Sequence, residues 1–160
     1  MKVFISYARP DETAAKRVSD LVKRAGIDVY LDKDDRELGV AVSGNDAARV
    51  VARIDEALRS VSHLLAVIGE ATKNSWWVPY EIGVSRVRSV KLTTLVLDNA
   101  VTLPEYLQIV PMMRDRYDLR KWLNDTTGTT RMDESIVKSV TATVTRLPDF
   151  ATGTVRFVPA

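Results

Sequence analysis

The strongest constraint on the fold of this chain is an alternation in which short apolar runs, rich in β-branched and aromatic residues, are separated by segments with apolar residues at helical spacing. Val3 to Tyr7 is the first run. Asp11 then offers an N-cap to a segment that carries Ala14, Ala15, Val18, Leu21, Val22 and Ala25 on one face, and Gly26 closes it as a C′ glycine does. Ile27 to Leu31 is the second run, followed by the polar stretch Asp32 to Glu37 with Gly39 and Gly44 beyond it. Asn45 or Asp46 caps a second helix in which Val50, Ile54, Ala57 and Leu58 share a face. Leu64 to Ile68 is apolar throughout, as a strand covered on both faces must be. Ser75 precedes a third helix that opens Trp76-Trp77-Val78-Pro79-Tyr80-Glu81, where Pro79 is tolerated only in the first turn. Leu92 to Leu97 is a fourth strand.

Strand and helix in strict alternation predict right-handed βαβ units and a parallel sheet flanked by helices. Past the fourth strand the signal thins. A connection punctuated by Pro104 and Pro111 leads to Arg116–Leu119, which reads as a short edge strand and brings the sheet to about five. The Thr/Gly-rich segment Asp125 to Thr130 reads as a turn, and a last amphipathic helix is expected between about Met132 and Leu147. Thr154 to Val158 suggests one more strand in the tail. No repeat or linker divides the chain, and 160 residues suffice for one core.

Several chemistries are excluded by content. With no cysteine there is no disulfide, thiolate nucleophile or zinc-thiolate site, which suits a reducing, cytoplasmic setting. The single His63 cannot build a multi-histidine metal site, and at the head of a buried strand it reads as a hydrogen-bonded structural residue. No metal site is expected. The net charge of +2 is spread over interspersed acids and bases, so no basic stripe suggests nucleic acid. No apolar run approaches the ~20 residues of a membrane-spanning helix. Ser6 has no G-x-S-x-G elbow around it and no histidine nearby in sequence, which argues against a hydrolase triad.

Ligands of parallel sheets bind outside the carboxyl ends of the strands. Three polar segments fall there, Tyr7 to Asp11, Asp32 to Arg36 and Gly69 to Ser75, and they are expected to converge. Two of the flanking motifs are specific in combination. Phe4-Ile5-Ser6-Tyr7-Ala8-Arg9-Pro10-Asp11 resembles the first box of Toll/interleukin-1 receptor (TIR) domains, and Ser75-Trp76-Trp77-Val78-Pro79-Tyr80-Glu81-Ile82 resembles the start of their third helix. The resemblance covers roughly residues 1–147, with 148–160 as a tail, and implies a flavodoxin-like parallel sheet. Asp32 to Gly44 then corresponds to the family's BB loop.

Many TIR domains cleave NAD+ at the nicotinamide–ribose bond, giving ADP-ribose or a cyclic isomer, and depend on a glutamate at the start of the third helix. The resemblance assigns that role to Glu81, with Trp77 as the aromatic of the Trp-x-x-x-Glu pattern. From its context alone Glu81 reads as a solvated residue of the first helical turn; the resemblance reverses that. An oxocarbenium-like transition state calls for a fixed carboxylate, to oppose the sugar's charge or to hold its hydroxyls. The leaving nicotinamide is neutral and needs no proton, so one carboxylate suffices. Trp77 and Tyr7 are placed to stack on substrate rings, Arg9 to pair with a phosphate or hydroxyl, and Arg36 or Lys33 to do the same from the long loop. Ser6 joins this substrate-binding group. Of the adjacent tryptophans, Trp76 is the one expected to pack into the core.

The resemblance further implies NAD+ as substrate rather than a bound cofactor, self-association through TIR–TIR contacts, and a separate effector or sensor protein, as in bacterial anti-phage signalling. The competing expectation is a non-catalytic TIR module that only docks to other proteins. A flavodoxin-like receiver or nucleotide binder would show a phosphoacceptor Asp or a Gly-rich loop after the first strand, and Ser6 to Asp11 has neither.

Overall fold

A computed structural model describes residues 1–31, 44, 46–98 and 101–128. Five strands, β1 (Lys2–Tyr7), β2 (Asp28–Leu31), β3 (His63–Ile68), β4 (Lys91–Val96) and β5 (Met112–Met113), form one sheet in the order β2-β1-β3-β4-β5. Every adjacent pair is parallel. Among the described residues four α-helices accompany it: α1 (Glu12–Arg24), α2 (Ala47–Arg59), α3 (Trp77–Val87) and α4 (Arg116–Thr127). This is the flavodoxin-like α/β architecture expected from the alternation. The strand order reverses between β1 and β3, which makes the gap above their carboxyl ends the topological switch point.

The side-chain parity of the strands divides the core in two. Phe4, Leu64, Ala66, Ile68 and Val96 pack with Val50, Ile54 and Leu58 of α2 and Val78 and Ile82 of α3. Their neighbours Val3, Ile5, Leu65, Val67 and Leu95 face the other way, onto Val18, Leu21 and Val22 of α1 and Leu119 and Leu123 of α4. Ser6 follows Phe4 by two residues and therefore stands on the α2–α3 side of the sheet.

Local signals account for most boundaries. Gly26 takes φ +77 immediately after α1, the left-handed conformation that ends the helix. The Asp46 carboxylate accepts from the Arg49 backbone N–H at 3.0 Å and starts α2. Pro79 is the third residue of α3, where its missing N–H leaves no intrahelical bond unmade.

Three expectations fail for identifiable reasons. Arg116–Leu119 is the first turn of α4 and not a strand; Asp115 accepts from the N–H groups of Tyr117 and Asp118 at 2.7 and 2.9 Å and nucleates a helix. The fifth strand is the preceding Met112–Met113. The helix also runs through the expected turn at Asp125, ending at Gly128 with φ +67. Asp11 makes no side-chain cap to α1, because a 3-10 turn over Arg9–Asp11 leads into the helix and aims its carboxylate elsewhere. The expected last helix at 132–147 and the strand at 154–158 lie outside the described residues.

Candidate active site

Two of the three polar segments meet above the switch point. The 3-10 turn after β1 (Arg9–Asp11) touches a second one after β3 (Glu70–Asn74), and the latter leads directly into α3. The third segment, Asp32 to Arg36, lies outside the described residues, and Arg36 and Lys33 with it.

At the centre stands Glu81. The first turns of α3 point Val78, Glu81, Ile82 and Ser85 at the sheet, a stripe with helical spacing. Glu81 is a carboxylate in the position of a core residue, and only 4% of its surface is exposed. The solvated reading of this residue is thereby corrected. The Ser6 hydroxyl, itself 1% exposed, donates to Glu81 Oε2 at 2.5 Å across the β1–α3 interface. A buried carboxylate carries a desolvation cost of several kcal/mol unless its oxygens are supplied with donors. Strand β1 supplies one from the position where its continuous apolar run breaks off.

The other residues named from the sequence are distributed around this pair. Tyr7, the last residue of β1, is half-buried. Arg9 is exposed on the turn that follows. Trp77 opens α3 one turn before Glu81 and is 43% exposed, with its ring edge-to-face on Tyr80 at a centroid distance of 6.0 Å. Trp76 is 91% exposed and does not pack, contrary to expectation. At about 100° per residue it sits on the side of the helix opposite the Val78–Ile82 stripe.

His63 occupies the opposite end of the strands, as the first residue of β3. It pairs with Val3 in the β1–β3 register, three residues below Ser6, which separates the two by roughly 10 Å along the strands. Ser62 Oγ lies 2.9 Å from His63 Nδ1, and partial burial, with Lys91 and the N-terminus nearby, pushes the imidazole pKa down. A Ser6–His63 catalytic pair is ruled out by this geometry. Among the described residues no group of three His, Cys, Asp or Glu side chains could hold a metal ion, and no helix is long and apolar enough to cross a membrane.

Two arrangements were not anticipated. One is a clamp between helices: Asp55 of α2 accepts from Tyr80 Oη at 3.2 Å and from Arg88 Nη2 at 3.2 Å, so it braces α3 at both ends. Burial, and then this bond to Asp55, raise the Tyr80 pKa. The signal was the helical face shared by Asp55 with buried residues, too weak to read without the partner helix. The other is the meeting of Asp11 with Gly69 and Thr72 across the two turns. Its one trace in the sequence is a glycine at the end of an otherwise bulky strand.

The sequence matches the TIR domain family over residues 3–133. No curated protein matches it. Among solved structures, it is similar to the 2-deoxyribosyltransferase from the psychrotolerant bacterium Bacillus psychrosaccharolyticus, with a TM-score of 0.53 over 85% of this chain and 96% of that one. At 10% identity the likeness is one of fold alone.

Proposed function

This chain belongs to the TIR-domain family, and from that premise we propose that it is an NAD+ nucleosidase, with Glu81 as its catalytic carboxylate. The observation that carries the proposal is the burial of Glu81 at the switch point with a serine hydroxyl donating to it. Stability alone does not account for a carboxylate there, since an apolar residue on that stripe would avoid the desolvation cost.

In the proposed reaction the bond between ribose C1 and the pyridinium nitrogen breaks, and its electron pair goes to the nitrogen. Nicotinamide leaves neutral. C1 takes on oxocarbenium character, and the anionic Glu81 stabilises it directly or through the ribose hydroxyls. Water attacking C1 gives ADP-ribose and a proton; capture by a nucleophile of the same substrate gives a cyclic isomer. Trp77 and Tyr7 are assigned to stacking on the rings and Arg9 to a phosphate, with Arg36 as a further candidate. Ser6 is assigned to the glutamate in place of the substrate, because its one hydroxyl proton is committed to Glu81. NAD+ enters as substrate, and the product would act as a signal to a separate effector.

A docking module without catalysis is the second reading. It is favoured by the apolar surface at Trp76, Val87 and Ile109, which are 91%, 87% and 72% exposed. Such a module has no use for a buried glutamate. The deciding experiment incubates concentrated protein with NAD+ and resolves nicotinamide from each ADP-ribose product, with Glu81→Gln alongside. Nicotinamide from the parent and a loss of at least about 100-fold in the variant support catalysis. No turnover, even after enforced clustering, leaves the docking module.

A further inference from the structure

Asp11 is a carboxylate at the crevice, on the turn after β1, that serves neither as a helix cap nor in the chemistry. It occupies the position of an N-cap to α1 yet makes no cap hydrogen bond. Its side chain crosses to the β3–α3 loop instead. A Cβ on Gly69 would lie 2.5 and 2.6 Å from the two Asp11 carboxylate oxygens, so the carboxylate rests directly on the glycine's Cα. The Gly69 backbone has φ −115 and ψ −179, extended geometry open to any residue. What excludes a side chain at 69 is therefore Asp11 and not the backbone. Thr72 completes the arrangement, because its Oγ1 accepts from the Gly69 N–H at 3.0 Å while its hydroxyl bonds to the Asp11 carboxylate.

We propose that Asp11 is a positioning residue for the reaction: its carboxylate, seated on Gly69 and bonded to Thr72, locks the loop after β3 onto the loop after β1 and so sets where the first turn of α3 stands. The linkage is short. Gly69 follows directly on β3, the 3-10 turn Glu70–Asn74 comes next, and α3 begins at Trp77. Helix α3 is thereby tied twice to the carboxyl end of β1 and the turn that follows it, through Glu81 to Ser6 and through the Glu70–Asn74 turn to Asp11. The second tie orients the Trp77 end, as the first orients the Glu81 end. Among the described residues Asp11 Oδ2 is buried without a hydrogen-bond partner, a cost borne for placement.

The inference rests on the proposed NAD+ cleavage, and its test separates the two. The full chain is labelled with 5-fluorotryptophan, the Trp77 resonance is assigned with Trp77→Phe, and Trp122 of α4 serves as an internal reference. Asp11→Ala, Gly69→Ala, their combination and Asp11→Asn are compared by 19F NMR and by nicotinamide release. Each alanine variant is expected to shift the Trp77 resonance, leave Trp122 in place and lower kcat roughly 10- to 100-fold with KM within about threefold. The double variant is expected to match the worse single one, because both changes break one contact. Asp11→Asn, whose amide oxygen still accepts from Thr72, keeps the parent resonance and kcat. If Gly69→Ala does not fold, the contrast of Asp11→Ala with Asp11→Asn decides. An unmoved Trp77 resonance in Asp11→Ala, or multiplied losses in the double variant, overturns the proposal. A parent that releases no nicotinamide, yet shows the expected shifts, defeats the activity while retaining the lock between the loops.

Discussion

At the scale of the residue, the least legible property was burial. Glu81 and Ser6 were both singled out from the motifs, but nothing in the sequence distinguished a solvated carboxylate from one held by a strand-end hydroxyl. The distinction depends on which face α3 turns to the sheet, and Pro79 and the two tryptophans left that open. Removing the donor has a defined cost. Ser6→Ala leaves Glu81 short of a partner and is expected to lower unfolding free energy by about 1–3 kcal/mol in urea, with a fall in kcat; a stability equal to the parent's would show the bond to be worth nothing. Asp11 behaves oppositely. Burial raises its pKa above the ordinary carboxylate value, with the Thr72 bond only partly opposing. The folded state then holds this proton more tightly than the unfolded chain, so the stability it contributes is present at acid pH and lost as pH rises through the folded pKa. Asp11→Asn is accordingly expected to raise the thermal midpoint at pH 7, with the gain shrinking as pH falls toward the ordinary carboxylate range. A gain that grew on acidification would reverse the sign of the argument.

At the scale of the element, legibility followed the strength of the start and stop signals. Helix α1 ended where Gly26 put it, and α2 began at Asp46. The segment Arg116–Leu119 was misread because its aromatic and apolar residues were weighed and its cap was not. Asp115 accepts two backbone bonds, and Asp118 returns one by accepting from the Arg114 N–H at 2.9 Å. Such a cap is worth about 1 kcal/mol, so Asp115→Ala should lose roughly that amount by chemical denaturation, and Asp115→Ser should keep most of it. Helix α3 is held differently. Its N-cap residue, Trp76, makes no side-chain cap bond, and the helix is braced instead by Asp55 through Tyr80 and Arg88. Asp55→Ala leaves two partly buried donors without their acceptor, and about 1–3 kcal/mol is expected, against about 0.5–1.5 kcal/mol for Tyr80→Phe. Equal effects of the two changes would mean that Arg88 takes no part in the brace.

At the scale of the whole molecule, the alternation of strands and helices was enough to specify a parallel sheet, and the parity within each strand assigned its two faces. What it did not specify was which helices cover which face, since that follows from the strand order β2-β1-β3-β4-β5. Once the order is known the asymmetry of the molecule is plain: α2 and α3 lie over one core with the Ser6–Glu81 pair at its edge, and α1 and α4 lie over the other. Adjacent residues of the central strand β3 probe the two cores separately. Leu64 and Leu65 are both fully buried, the first against α2 and α3, the second against α1 and α4. Leu→Ala at either site should cost about 2–5 kcal/mol of stability, since each empties a comparable volume. Their consequences for the candidate site should differ. A cavity at 64 opens beneath the helix that carries Glu81 and lets it settle, whereas a cavity at 65 lies beyond the sheet from it, and the close packing of the strands between insulates the site. With the proteins assayed well below their unfolding midpoints, Leu64→Ala should therefore lower nicotinamide release several-fold more than Leu65→Ala at matched loss of stability. Equal losses of activity would mean that the site responds to the stability of the molecule as a whole, and that the sheet does not separate its two cores in function.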